Sequence, residues 1–125
     1  MSTPIGSTCW AIAEGYIPPA SSSDNPALAS HETACLLNTN ELEARVSVTV
    51  YFKDREPAGP YQIIVPGRRT LHLRFNDLSD PEPLPLGVDF ASVIRADRPI
   101  VVQHTRLDSR QAALALMTTL AHAQH

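Results

Sequence analysis

Residues 46–53 read Val-Ser-Val-Thr-Val-Tyr-Phe-Lys, and this stretch decides the fold class. Val46, Val48, Val50 and Phe52 fall on every second position, with polar residues or a tyrosine between them. Side chains of a strand point to opposite faces in turn, so a period of two predicts a half-buried β-strand.

Similar short apolar segments recur on both sides of this strand, separated by Pro, Gly, Ser, Asn and Asp. That rhythm is typical of a β-sandwich or barrel, and the 11 prolines argue against a helical bundle. We therefore predict an all-β protein of about eight strands. The segments assigned as strands are residues 9–14, 31–38, 46–53, 61–65, 69–75, 90–96 and 99–106. Residues 97–99 are predicted as a hairpin connection, and residues 76–89 as an irregular loop.

The tail, residues 109–125, is compatible with two structures. Asp108 followed by Gln111 resembles the start of a helix, and Leu116, Met117 and Leu120 fall at helical spacing. Residues 116–120 could equally form a closing strand. We therefore expect a short C-terminal helix, a strand or a mobile tail.

The length of 125 residues predicts one domain, residues 1–125. The charge balance excludes a strongly basic protein that coats nucleic acid. The chain has 10 basic and 13 acidic residues. No apolar run approaches the roughly 20 residues of a membrane span, and no leader is recognisable. We expect a cytoplasmic protein in which Cys9 and Cys35 are reduced, buried thiols.

Few residues have the spacing of a known catalytic, phosphate-binding or metal-binding motif. The sequence has no phosphate loop, no Cys-x-x-Cys and no zinc-protease motif. A metal site is conceivable if adjacent strands gather four dispersed side chains, namely those of His31, Glu32, His72 and His104. Ordinary polar surface positions explain these residues more simply. Arg68, Arg69 and Arg74 could form an anion or nucleic-acid patch, but surface ion pairing is the simpler interpretation.

Two strands change from apolar to polar along one face. Ile100 and Val102 share a face with His104 and Arg106, and Trp10 shares one with Glu14. A tryptophan near a carboxylate can hold a sugar. Alternatively, Trp10 belongs to the core and Glu14 pairs with an arginine such as Arg106.

Several blocks of the chain resemble the sensory rhodopsin transducer family. These blocks are Cys-Trp-Ala-Ile-Ala-Glu-Gly-Tyr-Ile-Pro-Pro (9–19), Ser-His-Glu-Thr (30–33), Gly-Pro-Tyr (59–61), Arg-Phe-Asn-Asp-Leu (74–78), Asp-Phe-Ala-Ser-Val-Ile (89–94) and Pro-Ile-Val-Val-Gln-His-Thr-Arg-Leu-Asp (99–108). They occur in collinear order over nearly the whole chain.

This resemblance implies a β-sandwich of jelly-roll type that forms a homotetramer. It also implies a cytoplasmic signal transducer that contacts a microbial rhodopsin, a membrane protein, and does not act as an enzyme. The wider family suggests a sugar-like small molecule or nucleic acid as further partners. No metal or cofactor is implied.

A ligand pocket carried over from the matching positions would use Trp10 for stacking and six residues for hydrogen bonds: Glu14, His31, Glu32, Gln103, His104 and Arg106.

The leading hypothesis is a signalling module that relays a signal through protein contact, with a small ligand controlling it. Two alternatives remain open. One is a sugar-binding protein of carbohydrate metabolism, in which Glu14 and Glu32 could act as an acid/base pair. The other is a DNA-binding regulator.

Overall fold

A computed structural model describes residues 4–124 of the protein, and eight strands make up most of this range. They are β1 (Ser7–Ile12), β2 (His31–Asn38), β3 (Ala44–Phe52), β4 (Ala58–Val65), β5 (Arg69–Arg74), β6 (Phe90–Asp108), β7 (Ala115–Leu120) and β8 (His122–Gln124). Two single 3-10 turns, Pro26–Leu28 and Phe75–Asp77, are the helical segments of the described range. None of its helices is long and apolar enough to cross a membrane. The all-β prediction is confirmed.

Strand β6 organises the sheet because its two halves pair with different neighbours. Residues 90–96 pair with β3, and residues 92–95 pair with β1 on the opposite edge. Residues 101–107 pair with β2, while residues 103–108 pair with β7. Strands β4, β8 and β5 add to β3, β1 and β2. All these pairings are antiparallel and form one eight-stranded sheet, so the predicted jelly-roll sandwich is not confirmed.

The predicted hairpin at residues 97–99 is wrong, because the chain continues through them as one strand. Proline usually interrupts a sheet by removing a backbone donor. Pairing with β3 ends at Ala96 and pairing with β2 begins at Val101, so Pro99 lies between the two ladders. The Asn40 side-chain amide donates to the Pro99 carbonyl at 2.8 Å.

The alternation in residues 46–53 is confirmed as the centre of the core. Val46, Val48 and Val50 are fully buried, and Phe52 packs against the same cluster. The core cluster continues onto the second half of β6 through Ile100 and Val102. Residues of both halves of the sheet therefore share one apolar interior.

The predicted C-terminal helix is wrong, since residues 115–120 form β7 and residues 122–124 form β8. The Asp108 carboxylate, expected to cap a helix, accepts the Arg110 backbone N–H and pairs with its guanidinium. The chain then returns along the open edge of β6, where its backbone groups find ladder partners. The tail of the predicted domain is described up to Gln124; residues 1–3 and His125 lie outside the described range.

Both cysteines are free, as predicted, but they are only half-buried. Cys9 lies on β1, and Cys35 lies on the face of β2 that points away from the core. The prediction of buried thiols failed because neither cysteine occupies a core position of the strand alternation.

Asn38 is the last residue of β2, and its side chain forms hydrogen bonds with backbone groups of the neighbouring turns. It is fully buried, and its amide nitrogen lies 3.0 Å from the carbonyl oxygens of Leu42 and Val65 and 3.2 Å from that of Pro66. Its side-chain oxygen accepts from the Asn40 N–H at 3.0 Å. One side chain thus satisfies the backbone groups of two turns.

We expect Asn38→Ala to lower the free energy of unfolding by about 2 kcal/mol, because it leaves buried carbonyls without a donor. Chemical denaturation of both proteins measures this difference. Gln62→Ala, at an exposed position of β4, serves as the control and should change little. Equal stability of the two variants would contradict this role for Asn38.

Candidate functional site

A buried carboxylate, that of Glu32, is the centre of the candidate site. Glu32 lies on β2 with its side chain toward the interior and is completely inaccessible to solvent. The register of β2 with β6 places Arg106 directly opposite Glu32, and His104 opposite Ala34. Strand pairing therefore brings a cation and an imidazole to this carboxylate.

Four donor groups surround the two oxygens of Glu32. Its Oε2 accepts from Arg106 Nε at 3.1 Å, from Arg106 Nη2 at 2.9 Å and from the Tyr16 backbone N–H at 2.6 Å. Its Oε1 is in short contact with His104 Nε2. A buried charge is costly unless it is paired and hydrogen-bonded, and Glu32 meets both conditions.

Arg106 connects this buried carboxylate to the surface. Its Nη2 also donates to Glu14 Oε1 at 2.9 Å, and the Glu14 side chain is 63% exposed. Burial alone would lower the pKa of Arg106, but the hydrogen bonds to Glu14 and Glu32 raise it above its usual value. The pairing of Glu14 with Arg106, one of the two interpretations of the sequence, is confirmed.

The Tyr16 ring lies beside this ionic network and near two arginines. The guanidinium carbons of Arg106 and Arg110 lie 5.8 Å and 5.7 Å from the ring centroid. Hydrogen bonding to the Arg110 guanidinium lowers the pKa of Asp108. The network thus ends at the surface in a cluster of aromatic and charged side chains.

His104 has one ring nitrogen without a partner. The residue is fully buried, and its Nδ1 has no hydrogen bond within the described residues. A proton on Nε2 satisfies the Glu32 carboxylate and leaves Nδ1 as a bare acceptor.

The pleat separates His31 and Gln103 from this network. His31 Nδ1 lies 2.8 Å from the Ala29 carbonyl oxygen, and Gln103 Nε2 donates to Thr118 Oγ1 at 3.2 Å. Both residues alternate with members of the network along their strands, so they lie on the outer face of the sheet. The structure brings together four of the seven predicted site residues: Glu14, Glu32, His104 and Arg106.

Trp10 is also apart from the network. Its indole N–H lies 3.0 Å from the carbonyl oxygens of both Ser7 and Ile100, and its ring packs against the core while remaining partly exposed. Trp10 and Glu14 do not share a strand face as predicted, because β1 ends at Ile12 and Glu14 lies beyond it. Stacking by Trp10 and ligand binding by the other six residues stay predictions.

The conceivable metal site is divided between two faces of the sheet. Glu32 and His104 point inward, while His31 and His72 line the outer face. No group of three or more potential metal ligands occurs among residues 4–124. The three strands that carry these residues are neighbours, but the strand alternation directs Glu32 and His104 to one face and His31 and His72 to the other.

The acid/base and arginine hypotheses gain no support from the geometry. The oxygens of Glu32 are already occupied by four donors, and Glu14 shares Arg106 with it. Arg69 and Arg74 lie at opposite ends of β5 and on opposite faces, so these arginines do not converge.

Two members of the site were missed by sequence reasoning, Tyr16 and Asn76. Tyr16 contributes its backbone N–H to Glu32, while Asn76 Oδ1 accepts the Glu32 N–H at 3.2 Å and Asn76 Nδ2 donates to the Ser30 carbonyl at 3.1 Å. Both lie within the blocks that carry the family resemblance. Backbone contacts leave no residue-type signal, but the position of Asn76 in a quoted block could have drawn attention to it.

Fold and site together define an all-β protein in which one long strand carries a buried ionic network. The chain belongs to the Anabaena sensory rhodopsin transducer family, whose match covers residues 5–123. It is similar to a solved structure named Anabaena sensory rhodopsin transducer, with 56% identity over 83% of this chain and 100% of that chain, and a TM-score of 0.72. A crystal structure of Thermotoga maritima 1070 has 28% identity over 96% and 97% of the two chains, with a TM-score of 0.85. No curated protein matches the chain.

We expect Glu32→Gln to lower the free energy of unfolding by about 3 kcal/mol, because it breaks a buried ion pair from one side. Glu14→Gln is the matched control: it removes the exposed partner of the same arginine and should cost less than about 1 kcal/mol. Urea denaturation at neutral pH measures both values. Similar losses for the two variants would show that the buried carboxylate has no special role.

Proposed function

We propose that the protein relays a signal through protein contact, working as a homotetramer at the cytoplasmic face of a sensory rhodopsin. Membership in the transducer family supports signal relay. The name of the 56% identical relative supports a sensory rhodopsin as the partner. The observation that carries the proposal is the apolar exposure of β7.

Strand β7 is exposed along its whole length. Leu116 is 71% exposed and Leu120 is 80% exposed, although both belong to a regular strand. Exposed apolar surface of this kind commonly marks a protein interface. We call Leu116 and Leu120, which share one face of the strand, the β7 strip.

The edge of β7 is suited to pairing with a second copy of the chain. Within residues 4–124, β7 pairs only with β6, so its other edge has unpaired backbone groups. Such an edge is a template for another strand, and a two-fold axis would let two β7 strands pair with each other. Self-assembly through β7 would cover both the open edge and the apolar side chains.

Strand β7 is also close to the ionic network. Arg106 pairs in register with Met117, and His104 pairs with Thr119. A change at this interface would therefore act on the part of β6 that holds two residues of the network. This proximity supports β7 as the place where assembly and signal relay meet.

The two alternative functions have less support. A sugar platform requires an open Trp10 ring beside a carboxylate, yet the Trp10 indole is engaged with Ser7 and Ile100. DNA binding requires convergent arginines, and Arg69 and Arg74 lie on opposite faces of β5.

We expect Leu116→Glu and Leu120→Glu to break the tetramer, because each places a carboxylate in the proposed interface. Light scattering coupled to gel filtration should give a mass of four chains for the natural protein and a smaller mass for the variants. Ile64→Glu is the control, since Ile64 is 55% exposed on β4 and should leave the mass unchanged. A monomeric natural protein, or variants that stay tetrameric, would refute assembly through β7.

We also expect the tetramer to bind a sensory rhodopsin in lipid nanodiscs. Anabaena sensory rhodopsin is a suitable probe because the 56% identical relative carries its name. Biolayer interferometry in darkness and under illumination measures the affinity, which should differ between the two conditions. Binding no stronger than that to empty nanodiscs would contradict the rhodopsin partner and leave the assembly experiment unaffected.

A further inference from the structure

The outer face of the sheet carries a polar groove that the ionic network does not use. The groove has a volume of about 210 Å³ and crosses strands β2, β5 and β6. It is lined by His31, Thr33, Cys35, His72, Arg74 and Thr105. Strand register explains the grouping: Thr33 lies between Arg74 and Thr105, and Cys35 lies opposite His72.

The lining of this groove includes hydrogen-bond donors and contains no carboxylate. This composition stands out because acidic residues outnumber basic residues in the chain by 13 to 10. Arg74 is a permanent cation, and the His72 imidazole and the Thr33 hydroxyl can donate as well, whereas Thr105 already donates to Thr118 Oγ1 at 3.3 Å. A concave surface with these groups attracts an anion and offers it several hydrogen bonds at once.

Several of these donors remain available to a ligand. Arg74 uses Nη1 for the Pro26 carbonyl at 3.2 Å, and its other N–H groups have no partner within the described residues. His31 uses its Nδ1–H for the Ala29 carbonyl, so Nε2 of the neutral ring is an acceptor and adds no donor to the groove. Side chains directly opposite on adjacent strands lie about 5 Å apart, so Thr33 and Arg74 can reach the same small group.

We propose that this groove binds a phosphate group, either free phosphate or the end of a phosphate monoester. Donors from two strands, Thr33 of β2 and His72 and Arg74 of β5, suit an anion with several oxygens better than a carboxylate with two. The groove is smaller than the roughly 300 Å³ at which sites for drug-sized ligands begin, so it holds one compact group. This proposal is independent of the rhodopsin partner and of assembly through β7.

An NMR titration of the full chain labelled with ¹⁵N tests the proposal. Sodium phosphate and phenyl phosphate are added at constant ionic strength, with chloride and acetate as comparison anions. Saturable shifts should appear at the amides of Thr33, Cys35, His72 and Thr105. Tighter binding of phenyl phosphate would indicate a monoester, and equal binding would indicate free phosphate.

Arg74→Gln should raise the dissociation constant about tenfold or more, because a charged hydrogen-bond donor is lost. The matched control is Arg69→Gln, on the same strand but the opposite face, which should leave the constant unchanged. His72→Gln, at an exposed position, provides a second variant if Arg74→Gln disturbs the fold.

Three results would overturn the proposal. The first is the absence of saturable shifts in the groove, and the second is binding of acetate or chloride as tight as that of phosphate. The third is a dissociation constant unchanged by both Arg74→Gln and His72→Gln in variants whose remaining spectra match the natural protein.

Discussion

The fold depends on backbone hydrogen bonding along both edges of β6. A strand of 19 residues is longer than the usual 3–10, and β6 must change neighbours partway along its length. Each of the other seven strands pairs with β6 or with a strand that does. Where the neighbours change, three side chains bond to backbone groups: Trp10 to the Ile100 carbonyl, Asn40 to the Pro99 carbonyl and Asp97 to the Arg45 N–H.

The ionic network depends on the same strand and joins segments that are distant in sequence. Glu32 contacts β6 through His104 and Arg106, the segment after β1 through the Tyr16 N–H, and the turn after β5 through Asn76. A buried carboxylate tolerates few arrangements of the groups around it, because the loss of any hydrogen-bond donor leaves its charge poorly compensated. The network therefore fixes how these segments meet as well as contributing to stability.

Local alternation was enough to predict β3 and the face of β6 that Ile100, Val102, His104 and Arg106 share. It could not predict the continuity of β6, because Asp97 and Pro99 are typical of turns and only the absence of a pairing partner there makes proline acceptable. The tail was ambiguous for a similar reason: Leu116 and Leu120 fit either period, and pairing with β6 decides between them.

For the candidate site, too, the sequence predicted some features and could not predict others. The pairing of Glu14 with Arg106 was foreseen as one alternative. His31 and Glu32, which belong to the same predicted site, lie on opposite faces of β2 because adjacent residues of a strand point to opposite sides. The family resemblance supplied the residues of interest, but it did not supply their orientation, and the donor groove around Arg74 depends on a register that only the folded chain reveals.

The position of β1 in the sheet has a consequence for folding during synthesis. Its partners are residues 92–95 of β6 and residues 122–124 of β8, so it is made long before either of them. At about 5–20 residues per second, the ribosome needs several seconds to supply the first of these partners. During that interval the apolar residues of β1 have no strand partner, so β1 can join the sheet only after most of the chain has been made.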